Sequence, residues 1–418
     1  MTALRSWVPG ADGSGFPAEH LPYGVFSTGD GPARVGARIG DHVVDLARLA
    51  ADDAGGVGAV GDVFARPSLN AFMAAGPDAW RHVRSRLTEL VCDAAARPLV
   101  EPALVPVDRT RAHLPVEVAD YVDFYSSLEH ATNLGRLFRP DGEPLLPNWR
   151  HLPVGYHGRA GTVAVSGTPV PRPSGQRRVG DEVVFGPSER LDIELEVAAV
   201  VGVPSVPGRP VPTDRAAEHV FGIALLNDWS ARDIQAWEYQ PLGPFLGKSF
   251  ATTLAAWVTP LDALAPCRVP GRPQDPEPLP YLRLRPEDDW VLAVDLSVAL
   301  RPAGTAVEEV LSRTSAAGLY WRLPQQIAHA TVNGAHLRTG DLLASGTVSG
   351  PAPGTEGSLI ELTRGGREPL EVGGVRRTFL EDGDEVVLRG EAAVGDGVRI
   401  SLGEARGRVV PGAVPGGR

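Results

Sequence analysis

Leu191-Asp-Ile-Glu-Leu-Glu-Val197 is the stretch on which the fold turns. Successive side chains of a β-strand point to opposite faces, so Leu191, Ile193, Leu195 and Val197 fall on one side and Asp192, Glu194 and Glu196 on the other. The apolar side predicts a strand laid against a core. The acidic side admits two readings. It is the wet face of a half-exposed strand, or it is a set of carboxylates that repel one another and are costly to bury without a cation. The simplest cation that gathers a Glu-x-Glu pair is a hard divalent metal taking oxygen ligands.

Working outward, strand-like runs separated by Gly and Pro recur toward the C-terminus: Thr162 to Val170, Val220 to Leu226, Trp290 to Leu300, Leu342 to Val348, Ser358 to Leu362, Glu385 to Arg389 and Val398 to Leu402. With 49 Gly and 39 Pro in 418 residues, this predicts a mostly-β chain of short strands and tight turns rather than a helical bundle. Before it, Tyr23 to Ser27, Val35 to Ile39 and His42 to Leu46 alternate, and Gly40-Asp41 reads as a hairpin turn. Ser68 to Val91 has helical spacing broken in two by Pro77. Its Leu69, Phe72, Met73, Trp80, Val83, Leu87 and Leu90 are expected to pack. Pro98 to Pro115 reads as a linker or the last strand of a small first domain, because the texture changes near residue 116.

Several functions are disfavoured by composition. A net charge of −11 does not suit a binder of phosphate backbones, so no nucleic-acid partner is expected. The two cysteines, Cys92 and Cys267, are too far apart for a zinc knuckle and too few for a disulfide framework. No apolar run is long enough to span a bilayer, and the start lacks a signal-peptide core; a cytoplasmic protein with no membrane partner is expected. Gly56-Val-Gly-Ala-Val-Gly61 follows a helix-like run rather than a strand, which favours a Gly/Ala loop over a dinucleotide site. Gly243-Pro-Phe-Leu-Gly-Lys-Ser249 has one residue too few for a phosphate loop.

Two other segments are dense in chemistry. In Asp123-Phe-Tyr-Ser-Ser-Leu-Glu-His130, the Ser126/Glu129 spacing predicts a helix start carrying His130 in its first turns. Asp123 and Tyr125 precede it on one side of an extended chain. Each has an ordinary alternative: a turn aspartate, a packed histidine, and for Arg139 a solvated helix-end cation instead of an anion clamp. Asn227 to Tyr239 reads as a short helix on which Asp228, Arg232, Gln235 and Tyr239 share one stripe, either a salt-bridged polar face or one wall of a site. Lys248 sits among Phe245, Leu246 and Phe250, where an ammonium needs a partner unless it is a surface lysine.

These segments, together with Leu146-Pro-Asn-Trp149, Leu152-Pro-Val-Gly-Tyr-His-Gly-Arg159, Pro241 to Phe250 and Gly340-Asp-Leu-Leu-Ala-Ser-Gly-Thr347, closely resemble the fumarylacetoacetate hydrolase family. The likeness runs from Leu21 to the Asp382-Gly-Asp-Glu385 strand. The acidic pair marks only the broader superfamily; the N-terminal segment and Pro241 to Phe250 narrow it to the branch that cleaves fumarylacetoacetate. The resemblance implies an α+β, mostly-β fold: an SH3-like barrel in residues 1–115 and a catalytic mixed β-sandwich roll in residues 116–418, assembled as a homodimer. It implies hydrolysis of the carbon–carbon bond of 4-fumarylacetoacetate to fumarate and acetoacetate, the last step of tyrosine and phenylalanine breakdown. It implies calcium or magnesium held by Asp123, Glu194, Glu196 and Asp228. A second contact set falls on Asp228, Lys248 and Thr252, in which a protonated Lys248 is a partner rather than a ligand.

The same resemblance makes His130 the base, oriented by Glu361 on the Ser358 to Leu362 run, and puts substrate contacts at Tyr125, Arg139, Gln235, Tyr239 and Thr347. The residue types suit the reaction. Cleavage beside two carbonyls needs an activated water, oxyanion donors, here Arg232, Gln235 and Lys248, and a sink for the departing enolate. Leu128, Glu129 and the polar segment Gln176 to Arg190 depart from the pattern; Glu129 is read as a neighbour of the base or a helix cap, and Gln176 to Arg190 as a surface loop. A sibling acylpyruvate hydrolase or β-keto acid decarboxylase would share the acids without needing Arg139, Gln235 and Tyr239 together. A non-catalytic metal-binding scaffold would leave His130 and Glu361 far apart.

Overall fold

Val220–Asp228 is a nine-residue strand with every residue buried, and its apolar run leaves neither face for water. In the computed structural model, which describes residues 3–51 and 56–413, it is central to a 13-stranded mixed sheet. One neighbour is Leu195–Val201, antiparallel, with Glu196 opposite Leu226. Beyond it lies Leu342–Ala344, and then, parallel, Tyr121–Phe124, with Asp123 opposite Ala344. On its other side Thr252–Leu254 and Trp257–Pro260 pair with it. A five-stranded sheet holds Glu309–Ser315, Val294–Arg301, Glu385–Gly395, Val398–Val410 and Val170–Pro171. Leu296, Leu388 and Leu402 from this sheet share one core with Leu195, Leu225 and Trp229. The fold is α+β and mostly β.

The opening stretch is not one strand. Leu191–Asp192 pairs with Ser230–Ala231, and Leu195–Val201 joins the large sheet, with a break at Ile193 and Glu194. Across the break the Glu194 amide donates to Asn227 Oδ1 at 3.1 Å and the Asp228 amide to the Glu194 carbonyl at 3.3 Å. Leu191, Ile193 and Leu195 enter the core as expected, but Asp192, Glu194 and Glu196 are all buried too. The wet-face reading is wrong.

The N-terminal strands Tyr23–Ser27, Arg34–Ile39 and His42–Asp45 form a meander with Gly40-Asp41 as the two-residue turn, Ile39 facing His42. Gly40 has φ +51°, in the left-handed region glycine favours at such turns. The helices are Asn70–Ala74 and Pro77–Cys92, with Pro77 at the first helical position, where its missing N–H costs nothing. Leu69, Phe72, Met73, Val83, Leu87 and Leu90 are buried. Leu46 starts a helix that runs to Ala51, and residues 52–54 of the helix-like run Leu46 to Ala54 lie outside the described residues. Gly58–Ala65 is a 3-10 segment rather than an open Gly/Ala loop.

The expected SH3-like barrel is not seen as a closed ring. His42–Asp45 pairs with Leu104–Pro106, and Tyr23–Ser27 with Arg111–His113, but among the described residues these two outer strands do not pair with each other. The first strand instead extends the large sheet, with Tyr23 opposite Val258 and Gly24 opposite Trp257. A Cβ on Gly24 would stand 2.6 Å from the Ala256 carbonyl and 2.7 Å from the Trp257 ring, so only glycine fits the junction. Three other readings change. Ser358 to Leu362 is a helical turn, Leu359–Leu362. Asp228 ends a strand, and the helix begins at Arg232. Gln176 to Arg190 lies mostly in a hairpin, Ser174–Val179 with Glu182–Pro187.

Because one sheet and one apolar cluster join the N-terminal strands to Leu195–Val201, Val220–Asp228 and Leu342–Ala344, the N-terminal segment and the rest should melt together. Calorimetry should give a single endotherm. Gly24→Val should lower it as a whole, by an overpacking penalty of about 1–3 kcal/mol; two separated endotherms would contradict the shared sheet.

Candidate active site

Sheet register explains how residues distant in sequence meet. Asp123, Glu196 and Asp228 sit on strands of the large sheet, and Glu194 lies at the break just before one of them. One carboxylate oxygen from each of the four falls within 4.8 Å of the others, and all four residues are buried. Gly346 (φ +75°) closes this end by donating its amide to Glu196 Oε2 at 3.2 Å. A Cβ there would lie 2.0 Å from the Phe124 carbonyl oxygen.

Two cations face the cluster. Lys248 Nζ donates to Glu194 and, at 2.6 Å, to Asp228 Oδ2. The surroundings of this ammonium are therefore carboxylates, not the apolar neighbours expected: Phe245 and Leu246 are exposed. Its position also rules out the phosphate-loop alternative in favour of an acid-paired lysine. Arg232 Nη1 bonds Glu194 Oε1 at 2.7 Å, and its Nε bonds Asp192 Oδ2 at 2.8 Å. Burial would raise Glu194, but Lys248, Arg232 and His130 outweigh it and hold the carboxyl at about 2. Burial, reinforced by Asp228, pushes Asp123 well up. Burial, with Asp123 and Asp228 adding to it, does the same to Glu196.

Asp123 Oδ1 and Glu196 Oε1 are buried with no hydrogen-bond partner. Once Asp123 and Glu196 give up their protons, four carboxylates outnumber the two cations, and a hard divalent ion fits that deficit and that donor set. The cluster can hold a metal ion. Thr252 Oγ1 lies 3.5 Å from Asp228 Oδ1 on the far side of the same carboxylate, and Tyr156 Oη donates to Asp228 Oδ2 at 3.2 Å.

His130 rides in the first turn of the helix Leu128–Phe138. Its cap is Ser127, whose hydroxyl accepts from the His130 amide, and not Ser126, which accepts from Gln326. Glu129, expected beside the base or as a cap, is paired with Arg272 at 2.8 Å. His130 Nδ1 meets Glu361 Oε2 at 2.6 Å, and Nε2 lies 3.9 Å from Glu194 Oε1. Glu361 also accepts from Asn133 (2.9 Å), Ser349 (2.9 Å) and Ser358 (2.7 Å). Burial alone would raise it, but His130, Asn133 and Ser358 lower its pKa, so it is an anion that fixes the Nδ1–H tautomer and leaves Nε2 as acceptor. The scaffold alternative required these two residues to be apart, and they touch.

A cavity of about 480 Å³ opens on both groups. Tyr125, His130, Arg139, Glu194, Arg232, Gln235, Tyr239, Lys248 and Thr347 all line it, and Leu134, Phe138, Leu145 and Trp149 form an apolar side. Tyr125 packs edge-on to the His130 ring, centroids 5.4 Å apart. Arg139 Nη2 bonds the Pro144 carbonyl at 2.7 Å. Thr347 Oγ1 and Arg232 Nη2 are buried without partners. Glu196 and Thr252 stand behind this wall. No role was expected for Asp192, Asn133, Tyr156, Ser349 and Ser358; Asp192 carried a signal as the third acid of the alternating stretch, Asn133 and Tyr156 by lying in segments shared with the family, and the two serines carried none.

Paired carboxylates facing a histidine–glutamate couple across one cavity define a hydrolase site able to hold a divalent ion. A fumarylacetoacetate hydrolase C-terminal model matches residues 120–410 and a fumarylacetoacetase N-terminal model residues 19–115. The chain belongs to the fumarylacetoacetate hydrolase family, a family of carbon–carbon hydrolases. It is similar to the fumarylacetoacetase of Homo sapiens, 47% identical over 98% of this chain and 100% of that protein. It is 48% identical to the Caenorhabditis elegans fumarylacetoacetase over 98% and 99%. A solved fumarylacetoacetate hydrolase from psychrophilic Exiguobacterium antarcticum shares the fold at a TM-score of 0.55 and 17% identity, covering 94% of this chain and 99% of that one.

A divalent ion should displace protons that ion-free Asp123 and Glu196 retain. Their raised carboxyls favour the folded state most below about pH 4, where the unfolded chain still holds its protons, and lose that contribution as pH climbs through the raised values. The melting-temperature gap between ion-loaded and ion-stripped protein should therefore widen with rising pH. Titration calorimetry in buffers of different ionisation enthalpy should show proton release, and Glu196→Gln should weaken binding about tenfold or more.

Proposed function

We propose that this chain hydrolyses 4-fumarylacetoacetate to fumarate and acetoacetate, the closing step of tyrosine and phenylalanine breakdown. The observation that carries the reading is the 2.6 Å His130–Glu361 contact facing the carboxylate cluster across one cavity. Glu361 holds the imidazole so that Nε2 takes a proton from water. The hydroxide adds to the fumaryl carbonyl carbon, and the oxyanion is met by Arg232, Gln235 and Lys248. One such donor typically contributes about 10²–10³ in rate. The free Arg232 Nη2 is the donor this role requires. The carbon–carbon bond then breaks, its electron pair leaves as the acetoacetate enolate, and the proton held by His130 returns to that carbon.

Asp123, Glu194, Glu196 and Asp228 are the ligands in this reading, for calcium or magnesium, as hard oxygen donors suit both. A divalent ion there supplies Lewis acidity toward the substrate's oxygens and a counter-charge for the enolate. Lys248 and Thr252 partner a second magnesium contact at Asp228. Arg139 and Tyr125 take a substrate carboxylate, which a guanidinium matches in two contacts; Gln235, Tyr239 and Thr347 complete the substrate wall. Residues 1–115 as an SH3-like unit, residues 116–418 as the catalytic roll, a homodimer and a cytoplasmic setting belong to the same reading. It is supported by the family membership and by two unbridged cysteines; no described helix is long and apolar enough to cross a membrane. Light scattering tests the dimer.

His130→Ala should cut kcat by about 10²–10⁴ with the fold intact by circular dichroism. Near-normal turnover of fumarylacetoacetate by that variant removes His130 as base. Arg139→Gln should raise KM for fumarylacetoacetate more than it lowers kcat. Faster turnover of simple acylpyruvates than of fumarylacetoacetate by the unaltered protein would assign it to a sibling activity.

A further inference from the structure

Asp192 is the acid of the opening stretch that does not join the carboxylate cluster. It is fully buried, and both oxygens are doubly occupied. Oδ1 accepts from the amides of Ile193 and Leu359, each at 2.7 Å. Oδ2 accepts from the Ile360 amide at 3.0 Å and from Arg232 Nε at 2.8 Å. The Leu359 and Ile360 amides open the helical turn Leu359–Leu362, and the first amides of a helix have no partner of their own. Ser358, which precedes that turn, makes no side-chain cap; its hydroxyl is spent on Glu361. The carboxylate that seats the turn bearing Glu361 therefore comes from a different strand 167 positions away, and the same carboxylate grips Arg232.

We propose that Asp192 is a positioning residue for this reaction, one carboxylate that sets the His130–Glu361 couple and the Arg232 guanidinium in fixed relation to each other. The inference rests on the roles given above to His130, Glu361 and Arg232. Asp192 does not line the cavity and touches no reacting atom. Its contacts decide where two other groups stand. On one side the turn carries Glu361, which fixes the imidazole. On the other, Nε is tethered while Nη1 holds Glu194 and Nη2 stays unpartnered. Were the tether loosened, the general base and the oxyanion donor would drift independently, and small misplacements of such groups are costly in rate.

Asp192→Asn keeps the shape but turns a donor toward donors. It should lower kcat about 10- to 100-fold, the usual scale for an outer partner of a working group, while KM for fumarylacetoacetate changes less than about threefold. Affinity for magnesium alone, by titration calorimetry, should stay within a factor of about three, since the four cluster carboxylates are untouched. The deciding readout is a double-variant cycle. If Asp192 acts through Glu361, Asp192→Asn with Glu361→Gln loses much less than the product of the single losses. Multiplying losses, an unchanged kcat in the single variant, or a loss carried wholly by KM each overturn the proposal. A near-normal Glu361→Gln overturns the couple itself, which separates the two failures. Should the asparagine variant not fold, Asp192→Ser, smaller and still able to accept from one amide, goes through the same cycle with the same expectations.

Discussion

The structure depends on keeping four carboxylates together in a dry place. Antiparallel pairing of Leu195–Val201 with Val220–Asp228 sets Glu196 opposite Leu226, and the parallel pairing of Leu342–Ala344 with Tyr121–Phe124 brings Asp123 to the same end of the sheet. A one-residue slip would send each strand's side chains to the opposite face and scatter the acids. Like charges this close oppose the fold unless neutralised. Lys248 and Arg232 neutralise part of that charge, and the orphaned oxygens of Asp123 and Glu196 mark what is left for a cation.

Two kinds of acid result from one stretch. Glu194 is drawn down by Lys248 and Arg232 and is charged at any working pH, whereas Glu196, equally buried but without a cation in contact, is pushed up. The break at Ile193 and Glu194 separates these from Asp192, whose carboxylate turns to backbone amides and to Arg232. Arg232 thus bridges a metal-type carboxylate and a structural one. The base stands across the cavity, its partner Glu361 satisfied by three further side chains. Buried polar networks are stabilising only when fully satisfied, and this one is complete at Glu361 and open at the cluster.

Much of this was legible in the residues themselves. Period-2 alternation marked the stretch around Leu191, apolar runs between Gly/Pro turns marked the strands at Val220 and Trp290, Gly40-Asp41 marked its hairpin, and Pro77 marked a helix start, because each signal is local. The long segments shared with a known family picked out the acids, His130, Glu361, Arg232, Lys248 and the cavity wall. Less legible were the short elements. Ser358 to Leu362 is apolar enough for a strand and too short for periodicity to decide; it forms a helical turn because Asp192 caps it from elsewhere in the chain. The Ser126/Glu129 spacing favoured Ser126 as the cap, but Gln326 occupies that hydroxyl and Ser127 caps the helix instead.

The amino-acid sequence by itself determined where most of the longer strands run, where the chain must turn, and which acids, bases and amides are available, since these follow from side-chain chemistry and nearest-neighbour geometry. It did not determine that the acidic face of Leu191 to Val197 is dry, that Asp192 parts from its neighbours, or that the first strand runs on into the large sheet through Gly24. Those were decided by tertiary structure, because burial and pairing depend on which distant strand arrives alongside, and no local pattern encodes the arrival.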